Sequence, residues 1–326
     1  MSVGGATLLT MTTVPDSPHL TEAELAISTV GADCASETIT AAARAASTMA
    51  GIYDPPPGVS FADYRRQIFF GSPDRVDSAE DLMVAGVPIR RFTPSGPARG
   101  HYLHLHGGGW CLGSHDTQDT RLQSLSDATG LVVSSVGYRL APEHPFPACA
   151  DDALTVAKAV LAQPGVHAIG GESAGAHLAV LTMLTLRDEG ETYSGRTGFD
   201  ATGFDAAVLT FGAYDLSVPR LDLPVGMLLP GADLDARRDP TVSPLYADLS
   251  GLPPARFIVG TRDALLSSTL GLHAAWPTHD TNELDVFAGA AHAFTTSPIR
   301  ATEIAREREH AFLSGVAARA EQVTVY

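Results

Sequence analysis

The chain of 326 residues holds three cysteines, two tryptophans and, in Lys158, one lysine. Cys34, Cys111 and Cys149 are too few and too scattered for a disulfide framework, and none has metal-ligand spacing. They read as small, semi-apolar side chains in reduced form. No apolar run approaches the roughly 18 residues that a membrane-spanning helix needs. The first twenty residues place no lysine or arginine ahead of a weak apolar patch, so a secretory signal is not expected and the expected location is cytoplasmic. Basic charge is scarce: 21 Lys and Arg stand against 37 Asp and Glu, a formal net charge of −16. A nucleic-acid partner needs a basic face, and this balance argues against one.

What is present is a globular composition, 44% hydrophobic and 18% charged. The length suffices for one large α/β domain with a sizeable core. Residues 1–18 read as irregular. Thr21–Val30 reads as a helix opened by a Thr21/Glu24 capping box, and Ser36–Ala50 as a second helix. Pro55-Pro56-Pro57-Gly58 marks a boundary. Arg66–Phe70, Asp81–Val84 and Pro88–Phe92 read as extended, with Ala85-Gly86 turning a hairpin between the last two.

A regular alternation follows. Strands are expected at Tyr102–His106, Leu131–Val136, Val166–Ile169, Ala207–Phe211, Arg256–Val259 and Leu284–Phe287. Helices are expected at Asp151–Leu161, Ala174–Arg187 and Ala301–Arg319. The fold class is therefore α/β, a mostly parallel central sheet flanked by helices. Glu191–Asp205 reads as a surface loop. Asp215–Asp239 is long, proline-punctuated and apolar in its middle, the pattern of a lid at a sheet edge.

Two glycine motifs carry chemistry. In GGESAGA (170–176), Ser173 lies between a strand and a helix with almost no residues for the turn. The serine at such an apex takes a strained backbone, and Gly171 and Gly175 must be small. Roughly 0.2 chance matches to G-x-S-x-G are expected in this composition, so the setting matters as much as the pattern. HLHGGGW (104–110) also follows a strand, and chance matches to its H-G-G-G number about 0.01. Consecutive glycines free backbone amides to face an anion. Gly107 and Gly108, with Ala174 after the serine, are the candidate oxyanion donors.

A hydroxyl needs a base to accept its proton. A lone histidine is ordinarily a packed side chain. His292 differs, because it lies late in the chain, in a loop of small residues just past a strand end. His106 reads as a brace for the glycine run and His177 as packed in the helix after Ser173. Asp263 follows the strand Arg256–Val259, at the sheet edge where active-site groups gather, and is the candidate acid that orients His292. Trp110, Tyr214 and Phe294 are candidate pocket residues. Arg139, Glu143, Asp151 and Asp152 read as an ion-pair network bracing the loop near the glycines.

HGGGW, YRLAPEHPFPACADD (138–152), GESAG (171–175), SPLYADLSGLPP (243–254), GTRDALLS (260–267) and HAF (292–294) together resemble the hormone-sensitive-lipase-like bacterial carboxylesterases, in order from about residue 80 to 300. The resemblance implies the α/β-hydrolase fold with a helical cap. Residues 1–60 would form the N-terminal part of the cap, 61–326 the catalytic domain, and about 213–240 a cap insertion. It implies hydrolysis of short- to medium-chain carboxylic esters without cofactor or metal. It also maps the nucleophile, acid and base onto Ser173, Asp263 and His292. The partner is then a small-molecule ester, with a homodimer left open. Amidase, lactonase and transacylase chemistry share the acyl-enzyme and stay open too. Plant gibberellin receptors resemble the same family and bind without catalysis, but such a protein would be expected to lose a triad member. The chain departs from the family at Glu172, where aspartate is commoner, and at Pro277, which breaks the usual helix within Gly271–Thr281.

Overall fold

A computed structural model of the chain describes residues 28–30, 37–40, 52–67, 75–190, 202–277 and 280–323. Among these residues, nine strands form one sheet in the order β1-β9-β8-β7-β6-β4-β5-β3-β2. They are β1 (Ser28–Val30), β2 (Glu80–Val84), β3 (Val87–Phe92), β4 (Gly100–Leu105), β5 (Leu131–Val136), β6 (Val166–Glu172), β7 (Ala206–Thr210), β8 (Ala255–Gly260) and β9 (Glu283–Phe287). Among the described residues, only the β2–β3 and β3–β5 pairs are antiparallel. The turn between β2 and β3 has positive φ at both central residues, 47° at Ala85 and 89° at Gly86, which suits the right-handed twist of a hairpin.

The helices are α1 (Phe61–Gln67), α2 (Asp119–Thr129), α3 (Ala148–Leu161), α4 (Ala174–Glu189), α5 (Asp222–Leu228), α6 (Leu234–Arg237), α7 (Leu266–Ala275) and α8 (Arg300–Val323). α3 packs with α4, and α2 with α8. The middle strands β6, β7 and β8 are buried at every residue, so their sequences are runs of apolar and small residues without alternation. α4 is buried continuously from Ala174 through Leu184, the signature of a core helix rather than an amphipathic one.

The chain leaves β4 for β5 on one side and returns to β6 on the other. The chains leaving β4 and β6 therefore diverge beyond the last paired residues, Leu105 and Gly171, at a topological switch point, where open α/β sheets leave a crevice. β4 runs into the glycine run and β6 runs into Ser173. This one feature of topology brings the two motifs together.

Several expectations change. Residues 28–30, expected as the end of a helix, are a strand paired parallel to β9, Ser28 opposite Asp285. Ser-Thr-Val is a poor helix terminus, and the open edge of β9 offers backbone partners that local propensity does not weigh. Part of 1–60 thus belongs to the sheet rather than to a cap. The rest of Thr21–Val30 lies outside the described residues. Of Ser36–Ala50, residues 37–40 are helical and the others lie outside them, as does Cys34. Arg66 and Gln67, expected as extended, end α1. Ser60 caps that helix, its Oγ accepting from the Asp63 amide at 3.1 Å and donating to the Asp63 carboxylate at 2.6 Å. α2 was not expected, because it buries two leucines, Leu122 and Leu125, among polar residues. α7 stops at Ala275, and Trp276 is extended (ψ 143°), as the residue before Pro277 tends to be.

Candidate active site

Ser173 sits at the junction of β6 and α4 with φ 54° and ψ −115°. A non-glycine residue rarely adopts this conformation. Its amide is tied to the Thr210 carbonyl at 2.9 Å, which holds the bend against β7. The flanking glycines are small because of β4. A Cβ on Gly171 or Gly175 would run into the Leu105 carbonyl oxygen. Serine at a helix N-cap ordinarily folds its hydroxyl back onto the helix amides. Here the side chain makes no cap bond and is directed away.

It is directed at His292. Ser173 Oγ lies 2.9 Å from His292 Nε2, and His292 Nδ1 lies 2.9 and 3.1 Å from the two Asp263 carboxylate oxygens. The Asp263 side chain is fully buried, whereas that of His292 is 31% exposed. Asp263 also accepts from the Leu265 amide at 2.8 Å, which fixes its rotamer. A carboxylate only accepts, so Nδ1 carries the proton and Nε2 is left to accept from the serine hydroxyl. The Phe211 ring stands edge-on to His292 at 5.0 Å and supports it from the side.

Among the described residues, five non-glycine residues have positive φ. Ala85 is in the hairpin. The other four are Trp110, Ser173, Phe211 and Ala293, which are in this site or next to His292. Strain gathered at one place is what a preorganised site leaves behind.

Gly107 lies against the elbow: a Cβ there would stand 3.0 Å from the Glu172 carbonyl and 3.6 Å from Ser173 Cβ. Gly108 and Gly109 take φ of 120° and 60°. His106 braces the run, as its place suggested. Its Nδ1 lies 2.8 Å from the Gly107 carbonyl, its ring stacks on Tyr138 at 4.2 Å, and the Tyr138 hydroxyl donates to its carbonyl at 2.6 Å. Burial pushes the His106 imidazole down to about 4, so it is a neutral strut. Among the described residues, the amides of Gly107, Gly108 and Ala174 donate to no protein acceptor. Of these, Gly107 borders the serine and Ala174 follows it directly.

A cavity of about 650 Å³ opens over Ser173 and His292. Trp110 lines it, as expected. Its indole N–H donates to His177 Nδ1 at 3.2 Å, which leaves His177 Nε2–H to donate to the Val242 carbonyl at 2.8 Å. Tyr214 and Phe294 do not line it. Tyr214 is fully buried against the Gly212 backbone, and Phe294 packs on Phe211 and Phe287 beneath the His292 loop. Phe294 lies two residues from His292 and Tyr214 just past the end of β7, but each ring turns into the core, so both support the site rather than line it. Tyr53, Arg220, Leu221, Leu223, Pro224 and Arg262 line it instead. The apolar middle of the insertion signalled the leucines. Nothing local signalled Tyr53.

Beneath the elbow, Glu172 is buried with Arg121, His104 Nε2 (3.1 Å) and Gln118 (3.2 Å), and Arg121 reaches Glu309 at 3.0 Å. Burial works to raise the Glu172 carboxyl, but Arg121 and then His104 outweigh it and hold it well below the usual carboxylate range. The ion-pair network read near the glycines is two separate pairs. Arg139 pairs with Asp152 at 2.9 Å and Glu143 with Arg65 at 2.8 Å, while Asp151 joins neither among the described residues. Arg65 also donates to the Cys111 and Ala141 carbonyls, tying α1 to the glycine loop. Among the described residues, no three His, Cys, Asp or Glu side chains converge to hold a metal ion, and no helix is long and apolar enough to cross a membrane.

Comparisons with known proteins agree with the fold. A family profile described as the alpha/beta hydrolase fold matches residues 102–296. The versiconal hemiacetal acetate esterase stcI of Emericella nidulans is 44% identical over 124 residues, 37% of this chain and 43% of that one. The carboxylic ester hydrolase LipN of Mycobacterium tuberculosis is 34% identical over 209 residues, 57% of this chain and 55% of that one. The chain thus spans about half the length of these relatives. A crystal structure of an esterase from the bacterial hormone-sensitive lipase family superposes with a TM-score of 0.70 at 26% identity, covering 88% of this chain and 99% of that one. The chain belongs to the α/β-hydrolase family.

Proposed function

We propose that the protein is a serine carboxylesterase that hydrolyses short- to medium-chain esters through an acyl-enzyme. His292 takes the Ser173 proton as Oγ attacks the ester carbonyl. The negative charge that develops on the carbonyl oxygen faces the amides of Gly107, Gly108 and Ala174. The tetrahedral intermediate collapses, and His292 returns its proton to the departing alcohol. A water then gives its proton to His292 and attacks the acyl carbonyl, which releases the acid and restores Ser173. Asp263 keeps Nδ1 protonated throughout and stabilises the imidazolium.

One observation carries this reading: the unbroken Asp263–His292–Ser173 hydrogen-bond chain ends beside Gly107 and Ala174, whose amides have no protein acceptor among the described residues. The insertion at 213–240 acts as part of a cap, since Arg220, Leu221, Leu223 and Pro224 roof the cavity. A cavity of about 650 Å³ suits a compact ester better than a long acyl chain. The test is a series of nitrophenyl esters from acetate to palmitate, run on the wild type and on Ser173→Ala. Turnover should peak at the short to middle chains and fall by several orders of magnitude in the variant. A fully active Ser173→Ala ends the proposal, and a profile that rises through palmitate ends the chain-length part.

A further inference from the structure

The cavity has a charge opposite to that of the molecule around it. The chain carries −16 overall. Yet the charged residues of the lining are Arg220, Arg262 and Asp263. Asp263 is buried and committed to His292 and the Leu265 amide. The charged residues of the lining that remain are two arginines, both exposed. They come from different elements. Arg220 precedes α5 in the insertion, and Arg262 follows β8, next to the acid. Among the described residues, neither has an acidic or hydrogen-bonding side-chain partner. Other arginines of this chain are mostly paired, including Arg65, Arg90, Arg121, Arg139, Arg237 and Arg256. In a chain with a large excess of carboxylates, two unpaired guanidinium groups at one cavity mouth form a local anion trap.

Resting on the esterase reading of this same site, we propose that the preferred substrates are esters carrying a second, anionic group, a carboxylate, which Arg220 and Arg262 receive at the rim while Ser173 attacks the ester carbonyl. A guanidinium matches a carboxylate with two parallel N–H bonds. Because both groups are solvent-exposed, each contact is a modest one, and it weakens with salt. The surrounding negative charge repels anionic esters from the rest of the surface, so the cavity mouth is the favourable place for them to approach.

The experiment uses two matched ester pairs. Mono-4-nitrophenyl adipate against 4-nitrophenyl hexanoate places the charge on the acyl side. 4-Acetoxybenzoate against its methyl ester places it on the alcohol side. The readout is the ratio of kcat/KM, anionic over neutral, in the wild type, Arg220→Gln, Arg262→Gln and the double variant. In at least one pair the ratio should fall about threefold in each single variant and about tenfold in the double. In the wild type the ratio should also fall on raising salt to about 0.5 M. The pair that responds identifies the side that bears the charge. Equal ratios in the wild type and the double variant, in both pairs at low salt, overturn the proposal. Failure of the esterase reading looks different: neither neutral ester turns over, and Ser173 takes no fluorophosphonate label. In that event calorimetry with adipate decides the anion site. Weaker binding by the double variant than by the wild type supports it, and equal or undetectable binding by the wild type refutes it.

Discussion

Replacing Gly175 by alanine sets two effects of known size against each other. Gly175 is the second residue of α4. On helix propensity alone, alanine there should stabilise the protein by about 1 kcal/mol. The packing says the opposite. A Cβ at 175 would run into the Leu105 carbonyl and stand 2.7 Å from the His106 carbonyl oxygen. Both belong to the backbone at the end of β4, in the middle of the sheet, and neither can swing aside as a flexible side chain would. Overpacking of this kind costs about 1–3 kcal/mol, so the net change should be a loss of up to about 2 kcal/mol. The strand and helix must separate, which displaces Ser173 from His292. A misplacement of about 1 Å costs roughly a hundredfold in rate. Gly226 is the internal control. It lies in the interior of α5, exposed, with nothing within 4 Å of a new Cβ. Gly226→Ala should gain up to about 1 kcal/mol. Urea unfolding and ester turnover of both variants read the outcome. If Gly175→Ala is as stable and as active as Gly226→Ala, the close approach of β4 does not explain the glycines of the elbow.

Two further outcomes follow from the buried polar groups. Burial holds His177 at about 4, below its ordinary value near 6.5, so between those limits the unfolded chain binds a proton that the folded one does not. Stability is then unaffected above about pH 6.5 and falls as pH drops toward 4, by about 3 kcal/mol for this group. In urea unfolding at pH 7.5 and 4.5, His177→Gln should lose less stability on acidification than the wild type, and an equal loss would remove His177 from the account. Glu172→Gln leaves buried Arg121 with Glu309 as its one remaining carboxylate partner and should destabilise by about 3 kcal/mol. A change below about 0.5 kcal/mol, measured the same way, would show that the network is dispensable.

The parts legible in the sequence are those set by local backbone requirements. G-E-S-A-G could be read because only small residues fit a strand-to-helix bend, and H-G-G-G because a donor loop needs bare backbone. Asp263 and His292 were readable through their place after strands, since strand ends converge at one edge of a parallel sheet. Rings such as Tyr214 and Phe294 were not, because sequence neighbourhood does not say which way a side chain turns. The β1 strand was missed for a related reason: its partner, β9, lies more than 250 residues away in sequence.

By itself, then, the sequence determined the alternating elements, the strained serine and the identity of the three groups able to relay a proton, because each depends on chain geometry within a few residues. Tertiary structure alone decided that the chains leaving β4 and β6 diverge at the switch point, that 173 and 292 meet at 2.9 Å, and that two arginines line the cavity of an acidic protein. Those facts depend on which strands become neighbours, and strand order is a property of the folded sheet that no short stretch of residues contains.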